Sequence, residues 1–189
     1  MLDFLTVLAV ALLPVGGNLL GAGMAELTRA PRWVTGAALH AAAGVAIAVV
    51  SVDLTPRVFD TTSAWVAVLL FAIGGALAAL LAGFVGRLRG GASPGTTGAW
   101  MVYMATAIDL FSDGLMTGAS SAVSLQLGAL LGLSQVVGNV PGGFATVANL
   151  RIHGVPLRSR LLAAGSFVLP VVLAATVRYW LLRGRSENL

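Results

Sequence analysis

Cysteine is absent from this chain, and so is lysine: all 11 basic side chains among the 189 residues are arginine. Without thiols there can be no disulfide and no thiolate metal site. Charge is scarce, at 10% of residues, against roughly 25% in a water-soluble domain. There are only two histidines, His40 and His153. No HExxH helix, phosphate-binding loop or Ser/His/Asp set is present, so the sequence is not read as an enzyme and no organic cofactor is expected. The net charge of +4 is spread over the ends of apolar stretches. No basic stripe is interleaved with aromatics, which argues against a nucleic-acid partner. What the chain has in quantity is apolar surface: 58% hydrophobic residues and a mean hydropathy of +0.94. A soluble core could not hide that much, whereas a bilayer can. The expected partner is therefore the lipid bilayer, and the expected location is a bacterial inner membrane.

A helix needs about 20 apolar residues to cross the hydrocarbon core. About six stretches meet that length, at roughly 4–25, 33–54, 64–87, 98–121, 123–149 and 161–182. Unbroken apolar runs favour helices over barrel strands, which are about ten residues long and alternate. The expectation is one all-α polytopic transmembrane domain over 1–189. The first stretch lacks a basic leader and continues past 20 residues, so it reads as a span rather than a signal peptide. The links after the first, third and fifth stretches carry Arg29, Arg32, Arg87, Arg89, Arg151, Arg158 and Arg160. Those after the second and fourth carry only Arg57. This bias puts the N-terminus outside, although Arg183 and Arg185 near the C-terminus run against it. Gly16, Gly17, Gly21, Gly23, Gly74, Gly75, Gly128 and Gly132 are expected to form small faces on which helix backbones approach closely.

Polar groups at membrane depth carry the chemistry. The fourth stretch holds Asp109, Ser112 and Asp113, with no arginine nearby in sequence. Asp109 and Asp113 are spaced i, i+4, which sets both carboxylates on one helix face. Two like charges so placed repel unless one is protonated or a cation lies between them. The fifth stretch holds Gln135 and Asn139, again at i, i+4, so both amides share a face. Beyond them Pro141, flanked by Gly138, Gly142 and Gly143, predicts a kink with a freed carbonyl. Hard divalent cations favour such oxygen ligands. The bland alternatives are a protonated acid pair bonded to hydroxyls, and a packing kink with satisfied amides. His40 reads as a buried, hydrogen-bonded residue or else an entry-path ligand. Glu26 reads as paired with Arg29, and Asn18 as bonding across helices. Asp53 and Asp60 read as helix caps or cation gatherers at a mouth. Trp33, Trp65, Trp100 and Trp180 read as interfacial anchors.

Asp109-Leu-Phe-Ser-Asp113-Gly114 resembles the His-Asn-x-x-(Asp/Glu)-Gly signature of the ZIP (Zrt/Irt-like) metal transporters. Gly138-Asn139-Val-Pro141-Gly142-Gly143 resembles that family's His-(Asn/Asp/Glu)-x-Pro-Glu-Gly, and the second stretch, from Leu39-His40 through Ala43-Gly44-Val45 to Asp53-Leu54, resembles its second helix. The resemblance implies transport of a divalent cation (zinc, iron, manganese or similar) through a mid-membrane site on the fourth and fifth helices, with metal ligands at Asp109, Asp113 and Asn139. Ser112 and Gln135 are added as oxygen donors. Leu110, Gly138 and Gly142 stand where the family places ligands, and the last two of its eight helices are not seen here. An oxygen-rich set of this kind favours Mn²⁺ or Mg²⁺ over zinc. A divergent relative moving protons or another solute, and a non-transporting scaffold, are the alternatives. Six helices fit a homodimer if two copies are needed to enclose a pathway.

Overall fold

The computed structural model describes residues 4–28, 30–88 and 94–183, and the regular structure among them is helical. Arg29, Arg89, Arg185 and the side chains of Asp53, Arg57, Trp180 and Arg183 lie outside the described set.

Prolines set where the helices break. α1 (Phe4–Ala11) and α2 (Leu13–Leu27) form one apolar rod interrupted at Leu12. Pro14 has no amide to donate and its ring presses on the carbonyl four residues back, so the helix restarts with Pro14 in its first turn. Likewise Phe167 separates α8 (Leu157–Ser166) from α9 (Val168–Arg183), three residues ahead of Pro170. α3 (Arg32–Ala48) continues without a gap into a π-helical turn, Val49–Leu54, and α4 (Thr55–Thr61). The helical segment thus runs past its expected end at residue 54. The Thr55 amide donates to the Val50 carbonyl five residues back, and its hydroxyl reaches the same oxygen at 2.7 Å. The widened turn accommodates Pro56, which a regular α-turn would not.

α5 (Ala64–Leu88) is followed by the two longest helices, α6 (Pro94–Val123) and α7 (Leu125–Ile152), of 30 and 28 residues. Ser124 joins them and caps α7, its hydroxyl accepting from the Leu127 amide at 3.0 Å. α7 runs through Pro141 as one helix, without a break. The carbonyl the proline frees belongs to Val137, which is 75% exposed, so no neighbouring helix presses on that side.

Four stretches among the described residues are long and apolar enough to cross a membrane: Phe4–Leu27, Arg32–Val52, Ala64–Arg87 and Leu157–Val177. The chain is therefore an all-helical, integral membrane protein by length and composition. α6 and α7, expected as the fourth and fifth spans, have the length but fall outside this set because polar residues dilute them.

α7 lies at the centre, packed by α2, α6 and α3, while α9 packs on the far side of α6. Glycine lets α2 and α7 touch backbone to backbone. A Cβ on Gly17 would lie 2.0 Å from the Val136 carbonyl oxygen, one on Gly21 2.0 Å from that of Val140, and one on Gly143 2.1 Å from that of Asn18. Gly128 and Gly132 are also closely packed, whereas Gly16, Gly23, Gly74 and Gly75 meet nothing within 4 Å. The apolar core joins Ala11, Val15, Leu110, Phe167, Val171 and Ala175. α5 stands largely exposed, with Phe71 at 80%, as suits acyl chains rather than water.

The arginine-bearing end is tied together by charge. The Arg151 guanidinium donates to the carbonyls of Ala25 at 3.0 Å and Thr28 at 2.9 Å, closing the C-terminal end of α2. Glu26 pairs with Arg160 of α8 in a two-pronged bridge, 2.5 Å from Nε and 2.9 Å from Nη2. Its expected partner Arg29 is outside the described residues.

Candidate functional site: a carboxylate between two amides

The α6–α7 hairpin is held by a seam of polar pairs in one antiparallel register. The Thr106 and Thr146 hydroxyls are 2.9 Å apart. Asn139 Nδ2 donates to Asp113 Oδ2 at 2.6 Å. One turn on, the Thr117 hydroxyl donates to Gln135 Oε1 at 2.7 Å, while Gln135 Nε2 donates to Asp113 Oδ1 at 3.0 Å. Both carboxylate oxygens of Asp113 are therefore held by amide donors from α7. The i, i+4 spacing of Gln135 and Asn139 is what lets one carboxylate take both. Asn139 also approaches the Pro14 carbonyl of α2 at 3.5 Å, which brings a third helix to the cluster.

Of the five residues expected at the site, the structure gathers three. Asp113 and Gln135 are half-buried and Asn139 is buried. Asp109 and Ser112 are not gathered: both are exposed, on a stripe of α6 with Ala105 and Ile108, and the bonds that fix Asp113 do not extend to them. Ser112 is a single step from Asp113, a rotation of about 100° that turns it off the seam. Asp109 lies one turn back, still on the flank of that face. The two acids lie on one side of α6, as their spacing implies, but only Asp113 is tied into the seam while Asp109 is open.

Among the described residues no group of three or more His, Cys, Asp or Glu is placed to hold a metal ion. The amides turn their nitrogens to Asp113 and Gln135 Oε1 accepts from Thr117, so an ion here would have to displace those bonds to reach carboxylate and amide oxygens, a donor set that suits hard cations. His40 is exposed rather than buried, its Nδ1 lying 2.8 Å from the Gly36 carbonyl of its own helix. His153 is half-buried and packs over Gly95.

Thr117 escaped the sequence reading, though its signal is there: Thr106, Asp113, Thr117 and Ser121 recur at steps of seven and four, a polar version of a helix-packing repeat. Asn18 was expected to bond across helices. Its side chain is fully buried, yet neither amide atom has a hydrogen-bond partner among the described residues. No protein-family model, curated protein or solved structure matches the chain.

Proposed function

We propose that this chain carries divalent cations across a membrane, along a path flanked by α6 and α7 in a ZIP-like bundle of about six transmembrane helices. Support for the count comes from packing. α7 lies alongside α2, with Asn139 at Pro14 and Arg151 at Ala25, so a bilayer that contains the apolar α1–α2 rod contains α7 as well. α6 returns along α7 through the polar seam, and must cross with it. Being wrapped by α2, α3 and α9 lets both be more polar than their neighbours.

One observation carries the transport reading: Asp109 is an exposed carboxylate in the middle of such a helix. A carboxylate at the bilayer centre costs about 2.5–3.5 kcal/mol on insertion scales. For Asp113, two bonds to a charged group, each worth about 1.5–3 kcal/mol, offset that cost. Asp109 has no such help. It is tolerable only against water, a partner surface or a cation, so the stripe Ala105, Ile108, Asp109 and Ser112 faces a passage rather than lipid. The open and the tied carboxylate then form successive positions for a cation, one helical turn apart. The donor chemistry favours Mn²⁺ or Mg²⁺ over zinc.

The experiment is Mn²⁺ uptake into proteoliposomes. Asp109→Asn and Asp113→Asn should each lower the initial rate at least tenfold, whereas Ser112→Ala should leave it within about twofold. Uptake by both Asp variants equal to the parent's would end this reading. A second reading has its own support: with both oxygens of Asp113 on amide donors and no third acid or imidazole nearby, the same line of carboxylates suits protons. Uptake driven by a pH gradient in the presence of a chelator would favour it over metal transport.

A further inference from the structure

Asn18 is a buried polar group outside the seam. It lies on α2 where glycine brings α2 against α7, and its relative exposure is 0%. Neither Nδ2 nor Oδ1 has a partner among the described residues. Leaving a buried amide unbonded costs about 1–3 kcal/mol per group, and folded proteins rarely tolerate it. The side chain is directed by its neighbours. The Asn18 backbone rests on Gly143, while its Oδ1 lies 3.7 Å from the place a Cβ would take on Gly142. Gly142 is itself only half-buried, so the amide looks into a gap that a larger residue would close.

The register shows what else borders that gap. Thr106 lies against Thr146 and Asp113 against Asn139, which sets Asp109 of α6 level with Gly142 and Gly143 of α7. At 3.6 residues per turn, Gly142 and Asp109 both turn off the seam toward the same flank, the one away from α2. Asn18, buried on the α2 side, and Asp109, exposed on the α6 side, thus lie on either side of the Gly142 position. Asp113 lies one turn further along.

We infer that Asn18 is a cation-binding residue, its carboxamide oxygen forming with Asp109 a second position for a hard divalent cation at the Gly142 gap, one turn from Asp113. The inference rests on the transport reading and deepens it. Asp109 supplies the charge and Asn18 a neutral oxygen, a pairing suited to Mn²⁺ or Mg²⁺ held loosely enough to move on. Gly142 serves by having no side chain.

The test is Mn²⁺ binding to the purified full-length chain in nanodiscs, followed by loss of the free-ion paramagnetic resonance signal, with melting temperature as a second readout. Asn18→Leu, which removes the oxygen while keeping the branched heavy-atom skeleton, should weaken Mn²⁺ binding at least tenfold. Asn18→Asp adds a charge and should tighten it several-fold. In an Asp109→Asn background both changes should lose most of their effect, because the two residues share an ion. If Mn²⁺ binding is weakened by Asp113→Asn but unmoved by Asn18→Leu and Asn18→Asp, the Asn18 inference is wrong and the transport reading stands. If the parent chain binds no Mn²⁺, Mg²⁺ or Zn²⁺, both are wrong. Should Asn18→Leu not fold, Asn18→Asp decides alone: affinity equal to the parent's refutes the inference.

Discussion

Asn139 has neighbours on two helices, donating to Asp113 on α6 and approaching the Pro14 carbonyl on α2. Replacing it by leucine keeps the branched shape but leaves Asp113 with Gln135 as its one amide donor. The expected loss is about 1.5–3 kcal/mol, the worth of a bond to a charged group. In an Asp113→Leu background the same change should cost much less, and thermal unfolding of the four proteins in a double-mutant cycle measures the difference. A coupling near zero would mean the short Asn139–Asp113 distance carries no energy. Much of this was legible. The i, i+4 spacings of Asp109 with Asp113 and Gln135 with Asn139 marked two faces that had to find partners, and Asp113 found both amides. The split between the two acids was not legible, because it depends on the rotation of α6 about its axis. That rotation is fixed by Leu110 entering the core with Val15 and Phe167 and by Gly114 lying against α9, where a Cβ would sit 3.0 Å from that of Ala174. Such long-range contacts leave no local trace.

Among the helices, close packing separates glycines that the sequence presents alike. Gly16 and Gly17 are adjacent, yet a Cβ on Gly16 meets nothing within 4 Å and one on Gly17 would strike the Val136 carbonyl. Gly21 is held as tightly against Val140. Backbone cannot move aside as a flexible side chain can, so Gly21→Ala should destabilise by about 1–3 kcal/mol or more. Gly16→Ala should be neutral or slightly stabilising, since alanine is the better helix former. Melting temperatures of the two variants in one detergent check the contrast, and equal values would contradict the crossing. At the arginine-bearing end, Arg160→Ala removes the guanidinium from Glu26 in a half-buried pair. It should cost roughly 1–2 kcal/mol, less than a fully buried pair because water still reaches both groups. The breaks at Leu12 and Phe167 lie inside stretches expected to be continuous, whereas α7 passes Pro141 unbroken and Pro56 follows a π turn. Exposure of the freed carbonyl does not separate these outcomes, since Val52 ahead of Pro56 is as exposed as Val137 ahead of Pro141.

At the level of the whole molecule, hydropathy and packing count the spans differently. The apolar criterion finds four stretches, whereas the topology proposed from the packing of α7 on α2 and of α6 on α7 would carry two more across. The disagreement has a physical cause: hydropathy measures what a helix can expose to lipid, and helices wrapped by others are free to hold polar residues. Ser63 and Gln126 decide between the counts. With six spans Ser63 and Gln126 lie on one side of the membrane, and Thr28 and Arg158 on the other. With four, the α6–α7 hairpin stays on the side it starts from and Gln126 joins Thr28. The chain has no cysteine, so single substitutions Thr28→Cys, Ser63→Cys, Gln126→Cys and Arg158→Cys each give one label site without background. Labelling by a membrane-impermeant maleimide, applied to intact cells and then to inverted vesicles, should mark Ser63→Cys and Gln126→Cys together and the other pair from the opposite face. If the orientation expected from the arginine bias is right, Thr28→Cys and Arg158→Cys should label from the cytoplasmic face. Labelling of Gln126→Cys from the same face as Thr28→Cys would take α6 and α7 out of the membrane. Asp109 would then be an ordinary solvated carboxylate, and the physical reason for a cation to meet it would be gone.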